Sequence, residues 1–330
     1  DYIAGAKIYF DYVNSQGGVN GHHLVLRTKD DGGVPERTLA LTRELLDIER
    51  AQVLFGYIGD ATVSALAASP ILKETGVALV GALAGEDIGD PDGSLFFVRA
   101  SYRNEVDRVV NYFTKLGIKR FAMIRLPTPF AVAAQRAFRT SLNANSMQLV
   151  VDDVMTADGK DASRMAKNVF AGHPQVVVVV ADTIAVGNFV RAYRPLDQGG
   201  FVVALSTVNH EALLQLVGPS LAYGTLITQV VPNPLLANLP ALREHTSLLR
   251  RFRDEPPSHL TLEGFLAAKT LVQALRGLKS DVSRSAVTSL LRTHKDYDLG
   301  GIALHFADGS DRGSSFVDLT LLRKDGTLLQ

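Results

Sequence analysis

Short apolar runs alternate with stretches of helical periodicity along most of the chain. Strand-length apolar runs fall at 24–26, 53–55, 78–80, 96–98, 121–124, 149–154, 176–180, 201–204 and 225–228. Between them, amphipathic spacing predicts helices over 2–13, 35–48, 62–73, 105–116, 130–142, 162–170, 184–193 and 210–217. Gly17-Gly18, Gly76 and Gly117 stand past helix ends, and Pro35 sits in a first helical turn. Residues 176–180 are consecutive valines. Such a β-branched run fits a strand covered on both faces by helices, as in a parallel sheet.

This alternation is the pattern of a doubly wound α/β fold. The unit occurs twice, before and after residue 103, which predicts two similar α/β lobes with a cleft between them. Past residue 228 the character changes. Pro232, Pro234 and Pro240 punctuate a connector, and helices follow over 242–251, 260–278 and 283–291. Two β segments, 302–306 and 316–322, close the chain around a polar turn over 308–315, read as a hairpin.

The chain has 330 residues, enough for about two domains. Lysine plus arginine number 34, as do aspartate plus glutamate. Zero net charge removes the electrostatic footprint of a nucleic-acid binder or a polybasic membrane-surface protein. Cysteine is absent, which excludes disulfides, zinc–thiolate sites, iron–sulfur clusters and a cysteine nucleophile. No stretch reaches the roughly 18 consecutive apolar residues of a membrane span. No basic segment followed by an apolar one opens the chain, which begins in a predicted helix.

Catalytic motifs are missing. No G-x-G-x-x-G follows a strand, and neither a phosphate-binding G-x-x-x-x-G-K-[ST] nor a G-x-S-x-G elbow occurs. His210-Glu211 opens like a zinc-protease helix, but Leu214 stands where the second histidine belongs. His22-His23 would point to opposite faces of a strand and are read as surface residues. Asp30-Asp31, just past a predicted strand, is read as capping and loop solvation, the alternative being a hold on a cation or a ligand amine, and Asp308-Gly309-Ser310-Asp311 lacks the distal glutamate of a calcium loop. No catalytic residue, metal ligand or cofactor is assigned.

One rule still locates a site. In open α/β sheets, ligands sit at the carboxyl ends of the strands. The loops there are Gly56-Tyr57-Ile58-Gly59-Asp60, Gly81-Ala82-Leu83-Ala84-Gly85, Pro127-Thr128-Pro129-Phe130, Asp182-Thr183 and Ser206-Thr207. The glycines of the first two either make tight turns or let backbone N–H groups meet an anion or carbonyl.

Asn14-Ser15-Gln16-Gly17-Gly18-Val19-Asn20-Gly21, with Leu24-Val25-Leu26 and Asp30-Asp31 after it, resembles the opening of the type I periplasmic binding proteins of the branched-chain amino acid (Leu/Ile/Val) class. The resemblance continues through Gly56-Tyr57-Ile58-Gly59, Phe97-Val98-Arg99-Ala100, Leu116-Gly117-Ile118-Lys119-Arg120 and 224–232, and covers essentially the whole chain. It implies two doubly wound parallel-sheet lobes joined by three crossover segments, 1–103 with 232–312 and 104–231 with 313–330. It also implies a first strand and loop ahead of the opening helix, so the intact protein is expected to carry roughly 20 more residues.

The implied function is that of a solute-binding subunit of an ABC importer, closing by a hinge on a small polar molecule. Its implied partner is a permease in the inner membrane, and its setting is periplasmic, or extracellular and lipid-anchored, with any signal segment outside this chain. A monomer without nucleic-acid partners, cofactor or enzymatic activity is expected. The family's two hydroxyl positions for an α-amino acid fall on Asp60 and Ala84, its aromatic wall on Phe130, its ammonium-binding acidic position near Ser206 and another pocket position on Thr183. These departures point to a ligand with a cationic or hydrogen-bond-donating group near Asp60. Tyr57, Gly59, Ala82 and Leu83 of the loops, Tyr102 at a crossing and Leu260 at a helix start complete the candidate set. The alternatives are a ligand-sensing domain of the same fold and a two-lobed oxidoreductase.

Overall fold

The computed structural model describes residues 1–90, 92–156, 158–278 and 282–329. Its elements run α1 (Tyr2–Ser15), α2 (Pro35–Asp47), β1 (Leu54–Phe55), α3 (Asp60–Ala68), α4 (Ile71–Thr75), β2 (Leu79–Val80) and β3 (Leu95–Phe96). Then come α5 (Tyr102–Lys115), β4 (Arg120–Arg125), α6 (Pro129–Ala144), β5 (Gln148–Val154), α7 (Ala162–Ala171), β6 (Val176–Val180), α8 (Thr183–Tyr193), β7 (Phe201–Ala204), α9 (His210–Val217), α10 (Pro219–Ala222) and β8 (Thr225–Gln229). A 3-10 turn (Pro234–Leu236), α11 (Pro240–Phe252), α12 (His259–Leu275), α13 (Arg284–Thr293), β9 (Asp296–Asp298), β10 (Ala303–His305), β11 (Asp318–Leu322) and β12 (Leu328–Leu329) finish it. These form two compact units, Asp1–Ser101 with Val231–Phe316 and Tyr102–Val230 with Val317–Gln330. The chain therefore passes from one to the other three times.

The second unit is built on a seven-stranded sheet, ordered β12-β11-β8-β7-β6-β4-β5. Strands β4 to β8 are parallel, while β11 pairs antiparallel with both β8 and β12. Alternate residues serve two cores. Ala122, Ile124, Val177 and Val179 face α7, α8 and α9, whereas Phe121, Met123, Val176, Val178 and Val180 face α5 and α6. All five valines of β6 are fully buried. Each such side chain stabilises by about 1.5 kcal/mol or more, which is why this run sits at the centre of the sheet.

In the first unit, β1, β2 and β3 form a short parallel sheet. Ala78, Val80, Phe96 and Val98 face a core shared with α1, α11, α12 and α13. Leu54, Val77, Leu79, Leu95 and Phe97 face α2, α3 and α4. Helices α1 and α12 meet backbone to backbone: a Cβ on Gly5 would lie 1.8 Å from the Thr261 carbonyl oxygen, and one on Gly264 would lie 1.9 Å from that of Tyr2. Only glycine allows this approach. Gly17 and Gly18 close α1 with φ of 94° and 80°, conformations that residues with a Cβ rarely adopt.

The structure departs from the sequence expectations in three places. Residues 24–26 form no strand, since no described strand pairs with them. The Asn14 amide instead accepts from the Leu24 N–H and donates to its carbonyl, both at 2.8 Å, and Val25 is 69% exposed. The helix expected over 62–73 is two helices. Pro70 brings no N–H, and Ser69 before it takes ψ 158°, as the residue ahead of a proline prefers. The polar stretch 308–315 does turn, the Ser310 N–H donating to the Ala307 carbonyl (3.0 Å) and the His305 N–H to that of Gly313 (2.8 Å), but it does not pair the strands on either side of it. β10 pairs with β9, and β11 joins β8 in the other unit. The stretch between them lies beside β3's exit: the Phe97 N–H donates to the Asp311 carbonyl (2.7 Å) and the Gly313 N–H to that of Phe97 (2.9 Å).

Candidate functional site

In the first unit, the loops after β1 and β2 are strapped together. The Leu83 N–H donates to the Tyr57 carbonyl (2.7 Å) and the Gly59 N–H to that of Leu83 (3.1 Å), prolonging the parallel ladder past the strand ends. Side chains alternate accordingly. Ala82 and Ala84 are buried in the core beside α3, and Leu83 packs toward α1 and α12. What these three residues offer a solute is chiefly backbone. The Tyr57 hydroxyl is 2.8 Å from Thr42 Oγ1 on α2, and burial pushes its pKa up to about 12.

Asp60 opens α3. Its Oδ1 accepts the N–H groups of both Gly85 and Glu86, each at 2.9 Å. The acidic side chain thus orders the neighbouring loop. Burial raises the Glu86 pKa, while Ser64 donates to its carboxylate at 3.2 Å. Beneath the loop, the Tyr2 hydroxyl donates to the Gly81 carbonyl, and a buried pair joins Arg99 to Glu263 of α12 at 3.5 Å. Leu260 lies partly buried at the start of that helix.

In the second unit, the parallel strands follow the order 2-1-3-4-5, counted from β4. The order reverses between β4 and β6, and the loops leaving a switch point at the carboxyl ends frame a crevice. Phe130 begins α6 after β4, and Thr183 begins α8 after β6. Both are partly exposed. The Phe130 ring lies 5.3 Å from that of Tyr102, tilted by 41°. Thr183 Oγ1 accepts the Asn209 N–H at 3.1 Å, tying the β6 exit to the β7 exit.

Ser206, after β7, is held by Glu105 of α5. Its N–H donates to Oε2 (2.9 Å) and its hydroxyl to Oε1 (2.8 Å), while the Thr228 hydroxyl of β8 also donates to Oε2. Glu105 is fully buried. Acidic character thus stands one side chain behind the position read from sequence as Ser206.

Of the residues named from sequence, Tyr57, Gly59, Asp60, Ala82, Leu83 and Ala84 lie at the exits of β1 and β2 and Leu260 at the start of α12, while Phe130, Thr183 and Ser206 follow β4, β6 and β7 and Tyr102 begins α5. Sequence reasoning gave no role to Glu105, read only as the start of a helix, or to Tyr2 and Arg99, whose partners Gly81 and Glu263 lie far along the chain. His22 and His23 are exposed. Asp30 and Asp31 accept the N–H groups of Gly32 and Gly33 at 2.9 and 2.8 Å, the loop role expected of them. Among the described residues, no cluster of three His, Asp or Glu has the spacing of a metal site, and no helix is long and apolar enough to cross a membrane.

A family model described as periplasmic binding protein matches residues 1–321, and the chain belongs to that family. The fold is that of its type I members. A Pseudomonas aeruginosa protein described as an amino acid binding protein is 24% identical over 282 residues, 84% of this chain and 73% of the relative. A Leu/Ile/Val-binding protein of Rhizobium johnstonii is 22% identical over 295 residues, 88% of this chain and 78% of the relative. The solved substrate-binding periplasmic protein of Ralstonia solanacearum matches with a TM-score of 0.91 at 26% identity, covering 100% of this chain and 94% of that one. A branched-chain amino acid transporter substrate-binding protein of Streptococcus pneumoniae, solved with isoleucine, matches with a TM-score of 0.87 at 17% identity, covering 100% and 92%.

Proposed function

We propose that this chain is the extracytoplasmic solute-binding subunit of an ABC importer, taking an amino acid, amide or related small polar solute. The observation that carries this reading is the family match over 1–321, on a chain whose two units each present a loop set at their strand ends. The solute contacts in this reading are backbone groups and Asp60 of the first unit and Phe130, Thr183 and Ser206 of the second. Differential affinity for a closed arrangement would shift the population toward it, with the three crossings as hinge. A permease would then recognise the closed form. No bond to the solute is made or broken.

A thermal-shift screen of the L-amino acids, their amides, aromatic acids and polyamines tests this. A solute present at about 100 times its Kd stabilises by about 2.7 kcal/mol, a readily measured rise in melting temperature. Calorimetric titration of the hit should give one site per chain. Turnover of the hit, or no response across the panel, would refute the proposal.

A further inference from the structure

The loop after β2 is held from two sides by opposite charges. The peptide joining Ala84 to Gly85 gives its N–H to the Asp60 carboxylate (2.9 Å) and takes a hydrogen bond from Arg312 Nη1 on its carbonyl (3.3 Å). Glu86 is held on two successive peptides, its N–H donating to Asp60 (2.9 Å) and its carbonyl, in the next peptide, accepting from Arg312 Nη2. We propose that Arg312 and Asp60 are a positioning pair that fixes the peptide orientations of this loop and links it to the crossing segments. The proposal rests on reading that loop as one wall of the solute site.

A peptide dipole with its oxygen toward a cation and its hydrogen toward an anion is favoured at both ends, and turning it over is opposed at both. Arg312 is itself placed by three contacts. Its guanidinium lies over the Phe97 ring at 4.4 Å, its backbone pairs in parallel with Phe97, and Nη1 also donates to the Arg99 carbonyl (3.4 Å). Arg99 lies just ahead of the 101/102 crossing, and Arg312 just ahead of the 316/317 crossing. One side chain therefore joins the loop to two of the three passages. The side chain is only 9% exposed, and Asp87 stands 3.7 Å from it. An apolar residue of similar volume would fill this space without desolvating a charge. What the guanidinium adds is a fork of donors that reaches two carbonyls of one loop at once, which a lysine ammonium does not reproduce.

The test is amide exchange read by NMR on the full, ligand-free chain as wild type, Arg312→Met, Arg312→Lys, Asp60→Ala and the Arg312→Met/Asp60→Ala double variant. The Gly85 and Glu86 amides should exchange about tenfold faster in each single variant. At Gly85 the double variant should be no faster than the faster single one, because both residues act on the peptide that joins Ala84 to Gly85. Exchange in β6 should stay at the wild-type rate, which separates loop release from loss of the fold. Arg312→Lys, which keeps charge and most volume, carries the test if Arg312→Met does not fold. Titration with L-leucine is the second arm, with affinity expected to fall about tenfold in both Arg312 variants. Wild-type exchange at Gly85 and Glu86 in the Arg312 variants overturns the proposal, as do effects at Gly85 that multiply in the double variant. If the wild type does not bind L-leucine, leucine is not its solute, and the exchange arm decides the pair alone.

Discussion

The carboxylate of Glu105 takes both the backbone N–H and the hydroxyl of Ser206, at 2.9 and 2.8 Å, from the first turn of a helix 101 residues away in sequence. A fully buried carboxylate with three donors converging on it is satisfied by those donors. Removing it takes from the Ser206 N–H and the Thr228 hydroxyl the acceptor they share. Glu105→Ala should cost about 2–4 kcal/mol in urea unfolding. Glu105→Gln, which keeps an acceptor, should cost less. A Glu105→Ala protein as stable as wild type would show that this network contributes nothing net.

The contact between α1 and α12 should tolerate no side chain at Gly5 or Gly264. With carbonyl oxygens 1.8 and 1.9 Å from the added Cβ positions, the helix backbones must move apart. Gly264→Ala is expected to destabilise by about 3 kcal/mol or more, or to prevent accumulation of folded protein. Gly309→Ala, whose Cβ meets nothing within 4 Å but whose φ is +76°, should cost about 1 kcal/mol. Thermal melting of both variants makes the comparison.

His245 lies fully buried on α11, 3.1 Å from Thr261 Oγ1, and burial lowers its pKa from 6.5 to about 4. Between those values the unfolded chain holds a proton that the folded chain refuses, so stability falls as pH falls through that window. The contribution is fully present above about pH 7 and is lost toward pH 4, a change of about 3 kcal/mol from this residue. Unfolding curves at intervals from pH 7.5 to 4 should show the decline. A His245→Gln protein should show it reduced by that amount.

Phe130 is partly exposed and leans on Tyr102 at the switch-point end of the second sheet. If it forms a wall for the solute, Phe130→Ala should weaken binding about tenfold through lost apolar contact while changing the melting temperature little. Calorimetry with the solute found by screening measures this. Unchanged affinity would remove Phe130 from the site.

Periodicity and β-branched content were enough to predict most helices and the strands from β4 to β8. In those segments, local pattern and final burial agree, as the valine run of β6 shows. Where a neighbour decides, the reading failed. Leu24-Val25-Leu26 has strand composition, but a strand needs a partner backbone, and Asn14 satisfies Leu24 instead. The stretch 308–315 turns locally, but Phe97 takes its far side, and the strand that follows it pairs with β8 rather than with β10.

The rule about strand ends picked out the loops, and the family resemblance picked out Asp60, Phe130, Thr183 and Ser206 within them. Their surroundings did not follow. Glu105 is joined to Ser206, and Arg312 to the carbonyls of Ala84 and Glu86, across more than a hundred residues of chain. Apolar patterning is written in neighbouring residues because a helix or strand repeats within a few positions. A hydrogen bond between distant side chains leaves no such repeat, so only the folded chain decides which charge meets which peptide.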